Sequence, residues 1–160
     1  MSVYGKWSNP GVPHKGWTFV YEEDLESERM ICEMCETEEI RFVHHMEHPN
    51  YKGDLRAGCI CAGKMEENLE ASGRRDREMR NRAARKRIFP SLKGWRVNER
   101  GNHILRRDGC RITAFLKEGS WSGCVENLTT KEKIWSNLPY STPYEFKVAA
   151  FAVFEKLARH

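Results

Sequence analysis

Two short cysteine pairs, Cys32-Glu-Met-Cys35 and Cys59-Ile-Cys61, decide the fold that this sequence predicts. Paired thiolates at such spacing grip a metal ion, and a closed tetrahedral site adds folding free energy directly. The chain needs that contribution, because only 39% of its 160 residues are hydrophobic. A domain of about 70 residues with so little apolar material usually requires a bound metal ion or disulfide bonds for stability. We therefore predict one structural Zn²⁺ ion bound by Cys32, Cys35, Cys59 and Cys61.

Two alternatives remain open for these cysteines. Small buried hydrophobic residues that bind no metal would produce the same composition. The second alternative arises because a single residue separates Cys59 from Cys61, which is a tighter spacing than the usual two. In this alternative a histidine from Arg41-Phe-Val-His-His-Met-Glu-His48 replaces Cys59 or Cys61 as a zinc ligand. The histidines of that segment are His44, His45 and His48.

The pattern along the chain predicts an α+β protein in three parts. Residues 1–70 form a zinc-binding, treble-clef-like domain with strands at 16–21 and 39–44, as their β-branched and aromatic content indicates. Residues 71–90 form a basic helical linker within a predicted helix at 66–89, which Pro90 ends. Residues 91–160 form a β-sheet covered by one C-terminal helix.

The C-terminal part has the clearest local signals. The motif Thr142-Pro-Tyr-Glu145 is a capping box with proline at the first helical position, and it begins the last helix. Cys110 and Cys124 are expected in the core. Turn motifs separate five predicted strands, which lie at 94–97, 103–106, 111–116, 121–125 and 133–136.

Charge and hydropathy set the expected environment. The formal net charge is only +4, and no apolar run approaches the roughly 18 residues of a membrane span. Residues 1–13 lack the apolar core of a signal peptide. We therefore expect a cytoplasmic protein that does not enter a membrane. In that reducing compartment, paired cysteines favour metal over disulfides.

Basic side chains concentrate in the predicted helix. Arginine offers two parallel donors to phosphate and keeps its charge, so an arginine-rich helix predicts contact with DNA or RNA. The alternative is a solvated helix whose arginines pair with the acidic stretch at residues 22–39. The candidate nucleic-acid-binding residues are Arg74, Arg75, Arg77, Arg80, Arg82, Arg85, Lys86, Arg87, Arg106, Arg107 and Arg111.

Further motifs follow the first cysteine pair. A predicted strand ends in His44-His45, a loop contains Asn50, and the second pair leads into a helix. This order resembles the treble-clef layout of HNH endonucleases. The resemblance implies that His44 binds a metal ion and that His45 is the general base in phosphodiester hydrolysis. Asp54 stands where that family has asparagine, and the helix lacks the family's histidine. A structural role for the histidines therefore stays open.

Two other resemblances extend the comparison. Cys-Glu-Met-Cys at 32–35, Val-His-His-Met-Glu-His-Pro at 43–49 and Gly-Cys-Ile-Cys-Ala-Gly-Lys-Met-Glu at 58–66 resemble an uncharacterised family of small bacterial or phage zinc proteins. That resemblance implies zinc without an activity. The strands and helix of the last part, with tryptophan and arginine on the sheet, resemble an AP2-like module. A double-stranded-RNA-binding module is the second possibility. Trp95, Trp121 and Trp135 could equally belong to the core under the helix, and we expect at least two of them there.

Three functions follow from these patterns. Non-catalytic binding of DNA or RNA by a zinc-stabilised protein is the favoured hypothesis. A metal-dependent nuclease that uses His44 and His45 is the second. The third is an adaptor of a mobile element or phage that binds a host protein through the acidic stretch and exposed aromatic residues.

Overall fold

The structure, a computed structural model, describes residues 5–158, and residues 1–4 and 159–160 lie outside the described part. The chain divides into two compact units, Met1–Ala83 and Ala84–His160. Both units combine helices with antiparallel sheets, so the predicted α+β class is confirmed. The division falls inside the helix that the sequence predicts as a linker. None of the helices described is both long and apolar enough to cross a membrane.

The first unit contains two small sheets. A three-stranded antiparallel sheet has the order β1-β4-β5, and β2 pairs with β3 in a separate hairpin. Helix α1 follows β5 directly, and α2 continues beyond this unit. The elements are β1 (Thr18–Asp24), β2 (Met30–Ile31), β3 (Glu39–Ile40), β4 (Phe42–His48), β5 (Tyr51–Ala57), α1 (Cys59–Met65) and α2 (Leu69–Ile88).

Strand β4 is the centre of the first unit. Its first five residues, Phe-Val-His-His-Met, are all buried, so both faces of this strand are covered. Successive residues of a strand point to opposite faces. The register pairs His44 with Ala57 and His45 with Arg56. The two adjacent histidines therefore enter different environments on the two sides of the sheet.

The second unit is a five-stranded antiparallel meander covered by one helix. The strand order is β10-β9-β8-β7-β6, and helix α3 packs on β8 and β9. All five strands predicted for this part of the chain are present. The elements are β6 (Arg96–Val97), β7 (His103–Arg107), β8 (Cys110–Lys117), β9 (Ser120–Asn127), β10 (Lys133–Trp135) and α3 (Pro143–Ala158).

The capping box of α3 is confirmed in atomic detail. The Glu145 backbone N–H donates to the Thr142 hydroxyl at 3.1 Å, and the Glu145 carboxylate accepts from the Ser141 N–H at 3.1 Å. The first contact satisfies a donor that the first helical turn leaves free, and the second binds the N–H of the residue before the N-cap. Pro143 occupies the first helical position. The helix therefore begins where the sequence predicts.

The core of the second unit lies between the sheet and α3. Cys110 belongs to this core, as predicted. Cys124 is buried too, but the register places it on the face of the sheet opposite α3. Trp95 and Trp121 pack against this core, whereas Trp135 is 58% exposed. The expectation that at least two of the three tryptophans belong to the core is therefore confirmed.

Lys147 is a charged residue inside this core. Its side chain is buried, and its Nζ lies 4.4 Å from the centre of the Trp95 ring. Burial lowers the pKa of Lys147. Taking an ammonium group out of water costs free energy that a ring contact offsets only in part.

We expect Lys147→Met to stabilise the second unit by about 1 kcal/mol at pH 7. The folded-state pKa lies below the unfolded value of about 10.4, so the wild type gains stability as pH rises through the interval between the two. The advantage of the variant should therefore shrink by pH 10. Thermal unfolding of the wild type and the variant at pH 7 and at pH 10 measures this difference in stability. A destabilised variant at pH 7 would show that the ring contact outweighs the burial cost.

Candidate metal centre and basic surface

Three buried cysteines converge in the first unit. Cys32 follows β2, Cys35 lies in the turn before β3, and Cys61 is in the first turn of α1. Their Sγ atoms all lie within 4.8 Å of one another. The Glu36 N–H donates to the Cys32 carbonyl at 2.8 Å and closes the turn between the first two cysteines. This geometry is that of a metal site with three thiolate ligands.

Hydrogen-bond donors surround the three sulfur atoms. The Gly58 N–H lies 3.4 Å from the Cys32 Sγ, and the Glu38 N–H lies 3.5 Å from the Cys35 Sγ. The indole N–H of Trp7 donates to the Cys61 Sγ at 3.3 Å. Donors of this kind orient thiolate ligands and stabilise their negative charge. The chemistry around the cluster therefore fits a bound cation.

The electrostatics favour a thiolate at Cys32. A hydrogen bond from the Cys61 thiol is the main cause that lowers the pKa of Cys32 to about 5. Burial acts in the opposite direction, and the backbone N–H groups of Cys35, Gly58 and Met34 lower this pKa further. The pKa of Cys61 is raised, first by its hydrogen bond to Cys32 and then by burial. Because the thiolate is the form that binds metal, the cluster already holds one ligand in its binding form.

The fourth predicted ligand lies elsewhere. The structure places Cys59 with His44 and Asp76, and the ligand atoms of these three residues lie within 4.8 Å of one another. Within residues 5–158, no other His, Cys, Asp or Glu completes the three-cysteine cluster at that distance. Of the four predicted cysteine ligands, Cys32, Cys35 and Cys61 therefore lie together, and Cys59 lies in a different cluster. None of the histidines considered as replacements lies in the three-cysteine cluster.

His44 lies in a buried position between Arg75 and Asp76. Its side chain is 0% exposed, and Arg75 Nε lies 3.3 Å from its Nδ1. Burial, followed by the charge of Arg75, lowers the pKa of His44. Burial also raises the pKa of the Cys59 thiol. Histidine is therefore held as the neutral imidazole, the form that binds metal.

His45, the candidate general base, lies on the opposite side of β4. Its Nε2 is 2.9 Å from a Glu23 carboxylate oxygen, and its Nδ1 is 3.2 Å from an Asp54 carboxylate oxygen. The ring also stacks on Tyr21 with a centroid distance of 3.9 Å. Each ring nitrogen therefore already has a carboxylate neighbour, and a general base needs one nitrogen directed at water.

The third histidine of the segment has a structural role. The His48 Nε2 lies 3.1 Å from the Lys15 carbonyl, and its Nδ1 accepts the Asn50 N–H at 2.9 Å. The ring also contacts Trp17, with centroids 5.3 Å apart. His48 thus stabilises the turn after β4.

The arginines of α2 separate into one inward residue and a larger exposed set. Arg75 is partly buried, pairs with Glu66, and lies 3.7 Å from the centre of the Phe19 ring. It therefore belongs to the structure of the first unit. Lys86 is also partly buried. The exposed arginines of α2 are Arg74, Arg77, Arg80, Arg82, Arg85 and Arg87.

Several ion pairs of these arginines are local. Arg74 lies 3.9 Å from Glu70, and Arg80 lies 2.7 Å from Asp76, both one helical turn away. Arg85 lies 3.1 Å from Glu155. These three partners lie outside residues 22–39. The pair of Arg74 with Glu70 is exposed on both sides and contributes little stability.

The three arginines predicted on the sheet have different exposures. Arg106 and Arg107 are exposed, whereas Arg111 is partly buried and pairs with Glu126 at 2.7 Å. The register places Arg106 opposite Arg111 on neighbouring strands. A basic pair thus lies on the sheet face opposite α3, since the buried Leu105 and Ile112 point the other way.

Asp76 is a site residue that the sequence pattern does not reveal. It lies in the arginine run of α2, where Asp76 and Glu78 read as minor interruptions of the basic pattern. Its side chain is only 14% exposed and faces His44, with an oxygen 3.7 Å from Nε2. No spacing rule links Asp76 to Cys59. No sequence signal distinguishes it from Glu78, the second acid of the same arginine run.

Comparisons of the chain with models of protein families, with curated proteins and with solved structures find no match.

Proposed function

We propose that this protein binds nucleic acid through the exposed arginines of α2 and that a Zn²⁺ ion stabilises its first unit. The observation that carries the proposal is the charge distribution on α2. The helix contains eight basic and three acidic residues, and one of those acids, Asp76, is turned inward. Six arginines remain exposed, which leaves a strongly positive outer surface.

The chemistry of these side chains fits phosphate. The side chains of Arg74 and Arg80 are each 63% exposed, and that of Arg85 is 50% exposed. The pair of Arg74 with Glu70 is exposed on both sides, so the Arg74 guanidinium can exchange it for a bidentate contact with a phosphate. Each phosphate contact also releases counterions, which adds affinity at low salt.

The sheet of the second unit offers a supporting surface. A cross-strand row on the face opposite α3 contains Arg106, Arg111, Glu126 and Lys133. Trp135 is 58% exposed on the same face, and Lys133 Nζ lies 4.9 Å from its ring centre. Aromatic and basic side chains together form stacking surfaces for unpaired bases. We therefore include single-stranded DNA and RNA among the partners.

Zinc is the metal that best fits the three-cysteine cluster. Thiolates select Zn²⁺ among the common divalent ions, and three protein ligands leave a fourth position for water or another ligand. A turn supplies two cysteines and the first turn of α1 supplies the third, and this supports our proposal of a treble-clef-like zinc site. Free thiols suit a reducing compartment, and we place the protein in the cytoplasm.

The test is a salt series on duplex DNA, single-stranded DNA and RNA. We expect binding of the zinc-loaded protein to weaken steeply with salt. The triple variant Arg74→Gln, Arg77→Gln, Arg87→Gln should lower the slope of log K against log salt by about three. A charge-matched triple variant, Lys52→Gln, Lys131→Gln, Lys156→Gln, should keep the wild-type slope.

Two outcomes would contradict this proposal. If every probe stays free at low salt, the arginines do not contact phosphate, and a protein partner becomes the better hypothesis. If both triple variants lose the same slope, the binding follows net charge and not α2. Each endpoint is also run on a denaturing gel with Mg²⁺. Shortened strands would move the assignment to the nuclease hypothesis.

A further inference from the structure

The first unit contains a second cluster of metal-binding side chains, separate from the three cysteines. His44 comes from β4, Cys59 begins α1, and Asp76 lies in α2. One ligand atom from each lies within 4.8 Å of the other two. Three different elements therefore converge on one small volume with an imidazole, a thiol and a carboxylate.

His44 supplies an independent sign of a missing ligand. Its Nε2 is fully buried and has no hydrogen-bond partner among the described residues. The nearest carboxylate oxygen, Asp76 Oδ1, is 3.7 Å away, too far for a hydrogen bond. An unsatisfied buried nitrogen costs about 1–3 kcal/mol. A cation bound by Nε2 and Asp76 Oδ1, with the ring proton moved to Nδ1, would remove that cost.

Neighbouring side chains contact two of the three ligands. Arg80 Nε donates to Asp76 Oδ2 at 2.7 Å, which leaves Oδ1 directed at His44. Arg75 Nε donates to Nδ1 of His44 at 3.3 Å, so without a metal ion the neutral ring carries its proton on Nε2. Metal binding at Nε2 therefore requires this proton to move to Nδ1 and Arg75 Nε to turn away from it. The pairing of Arg75 with Glu66 supplies another partner for the guanidinium.

A polar cavity gives access to the cluster. It has a volume of about 310 Å³, and Cys59 and Asp76 form part of its lining. Arg29, Arg41 and Arg80 line other parts of its wall. A metal ion at the cluster would thus have protein ligands on one side and a solvent-accessible cavity on the other.

We propose that His44, Cys59 and Asp76 bind a second divalent metal ion of the Zn²⁺ or Co²⁺ class, with its fourth coordination position facing this cavity. Three protein ligands and one open position are typical of sites that bind water or substrate. A ligand set with one thiolate, one imidazole and one carboxylate suits zinc better than magnesium or calcium, which prefer oxygen.

The rival interpretation is a cysteine nucleophile activated by histidine. In such a triad one ring nitrogen contacts the nucleophile and the other contacts the carboxylate. Here the carboxylate lies near Nε2, while Nδ1 lies next to the Arg75 guanidinium. The geometry therefore favours metal binding. This inference does not depend on nucleic-acid binding.

The test is the metal stoichiometry of the full-length protein. Metal-free protein is titrated with Co²⁺ and with Zn²⁺ against a competing chelator of micromolar affinity, which prevents weak binding to surface carboxylates. We expect Asp76→Asn to lose one equivalent relative to the wild type, and Cys59→Ser to lose the same one. Glu78→Gln, with the same charge change on the same helix, should keep the wild-type value.

The decisive comparison is between the wild type and Asp76→Asn. Loss of one equivalent with an unchanged circular dichroism spectrum supports the site. An equal stoichiometry in the two proteins overturns it. Cys59→Ser repeats the comparison on a second ligand, should the first variant change the fold. The Co²⁺ absorption spectrum gives another measure, because the lost equivalent should carry weaker thiolate charge-transfer bands than the three-cysteine site.

Discussion

Cys61→Ser is expected to lose the metal ion of the three-cysteine cluster and to unfold the first unit at 25 °C. The Cys61 sulfur is one of the three clustered thiols that could hold the ion, and it accepts the Trp7 indole N–H. Structural zinc contributes about 10–16 kcal/mol of apparent folding free energy in zinc-finger peptides. A domain has only about 5–15 kcal/mol of net stability. Even a fraction of the metal contribution therefore decides whether this unit folds.

Metal analysis and amide hydrogen exchange measure this prediction. We expect strands β4 and β5 to lose protection in Cys61→Ser while β8 and β9 keep theirs. The matched control is Cys124→Ser, since both cysteines are 7% exposed and Cys124 lies in neither cluster. That control should retain metal. A Cys61→Ser protein with full metal content and a protected β4 would show that the cluster does not stabilise the fold.

Gly123→Ala is expected to destabilise the second unit by about 3 kcal/mol. Gly123 lies in β9 beneath α3, where an added Cβ would lie 2.5 Å from Cζ of Phe146 and closer still to the Thr113 carbonyl oxygen. The carbonyl belongs to the neighbouring strand, so it cannot rotate away. The helix and the strand would both have to move.

Hydrogen exchange of the β8 and β9 amides reports this loss separately from the first unit. The control is Gly73→Ala in α2, where the nearest atom to the new Cβ is an Arg77 side-chain nitrogen at 3.6 Å. Alanine in a helix should add up to about 1 kcal/mol there. A change below about 1 kcal/mol for Gly123→Ala would mean that α3 packs less closely on β9 than described.

Local signals predict the second unit well. The capping box locates the start of α3, and the turn motifs separate five strands that all form. Each signal depends on residues that are close in sequence. Strand β5 (Tyr51–Ala57) was not predicted, because its segment Tyr-Lys-Gly-Asp-Leu-Arg-Ala is mostly polar and its stability comes from pairing with β4. Long-range pairing of that kind leaves little trace in composition.

The division of the predicted zinc ligands has a geometric cause. Cys59 and Cys61 look like a pair in the sequence. In an extended segment, residues two apart point to the same side, so both sulfur atoms would face one ion. The chain is helical from Cys59 onward, however. At 3.6 residues per turn, residues two apart in a helix lie about 200° apart around its axis. Their sulfur atoms therefore point to different sides of α1.

The role of Asp76 could not be predicted for a different reason. Its position next to His44 follows from how α2 packs against β4, which is a tertiary contact with no fixed sequence spacing. The same holds for Arg75, which the sequence places with the nucleic-acid-binding arginines and the structure places beside His44. Sequence analysis identifies arginine-rich helices readily, but it does not tell which arginines face inward.

The placement of two sulfur atoms within one helical turn also has an evolutionary consequence. Inserting or deleting one residue between Cys59 and Cys61 would rotate the remainder of α1 by about 100°. Such a change would break the spacing that directs one sulfur to each cluster. Related sequences that keep both clusters should therefore vary in composition along α1 and hold its length constant at this point.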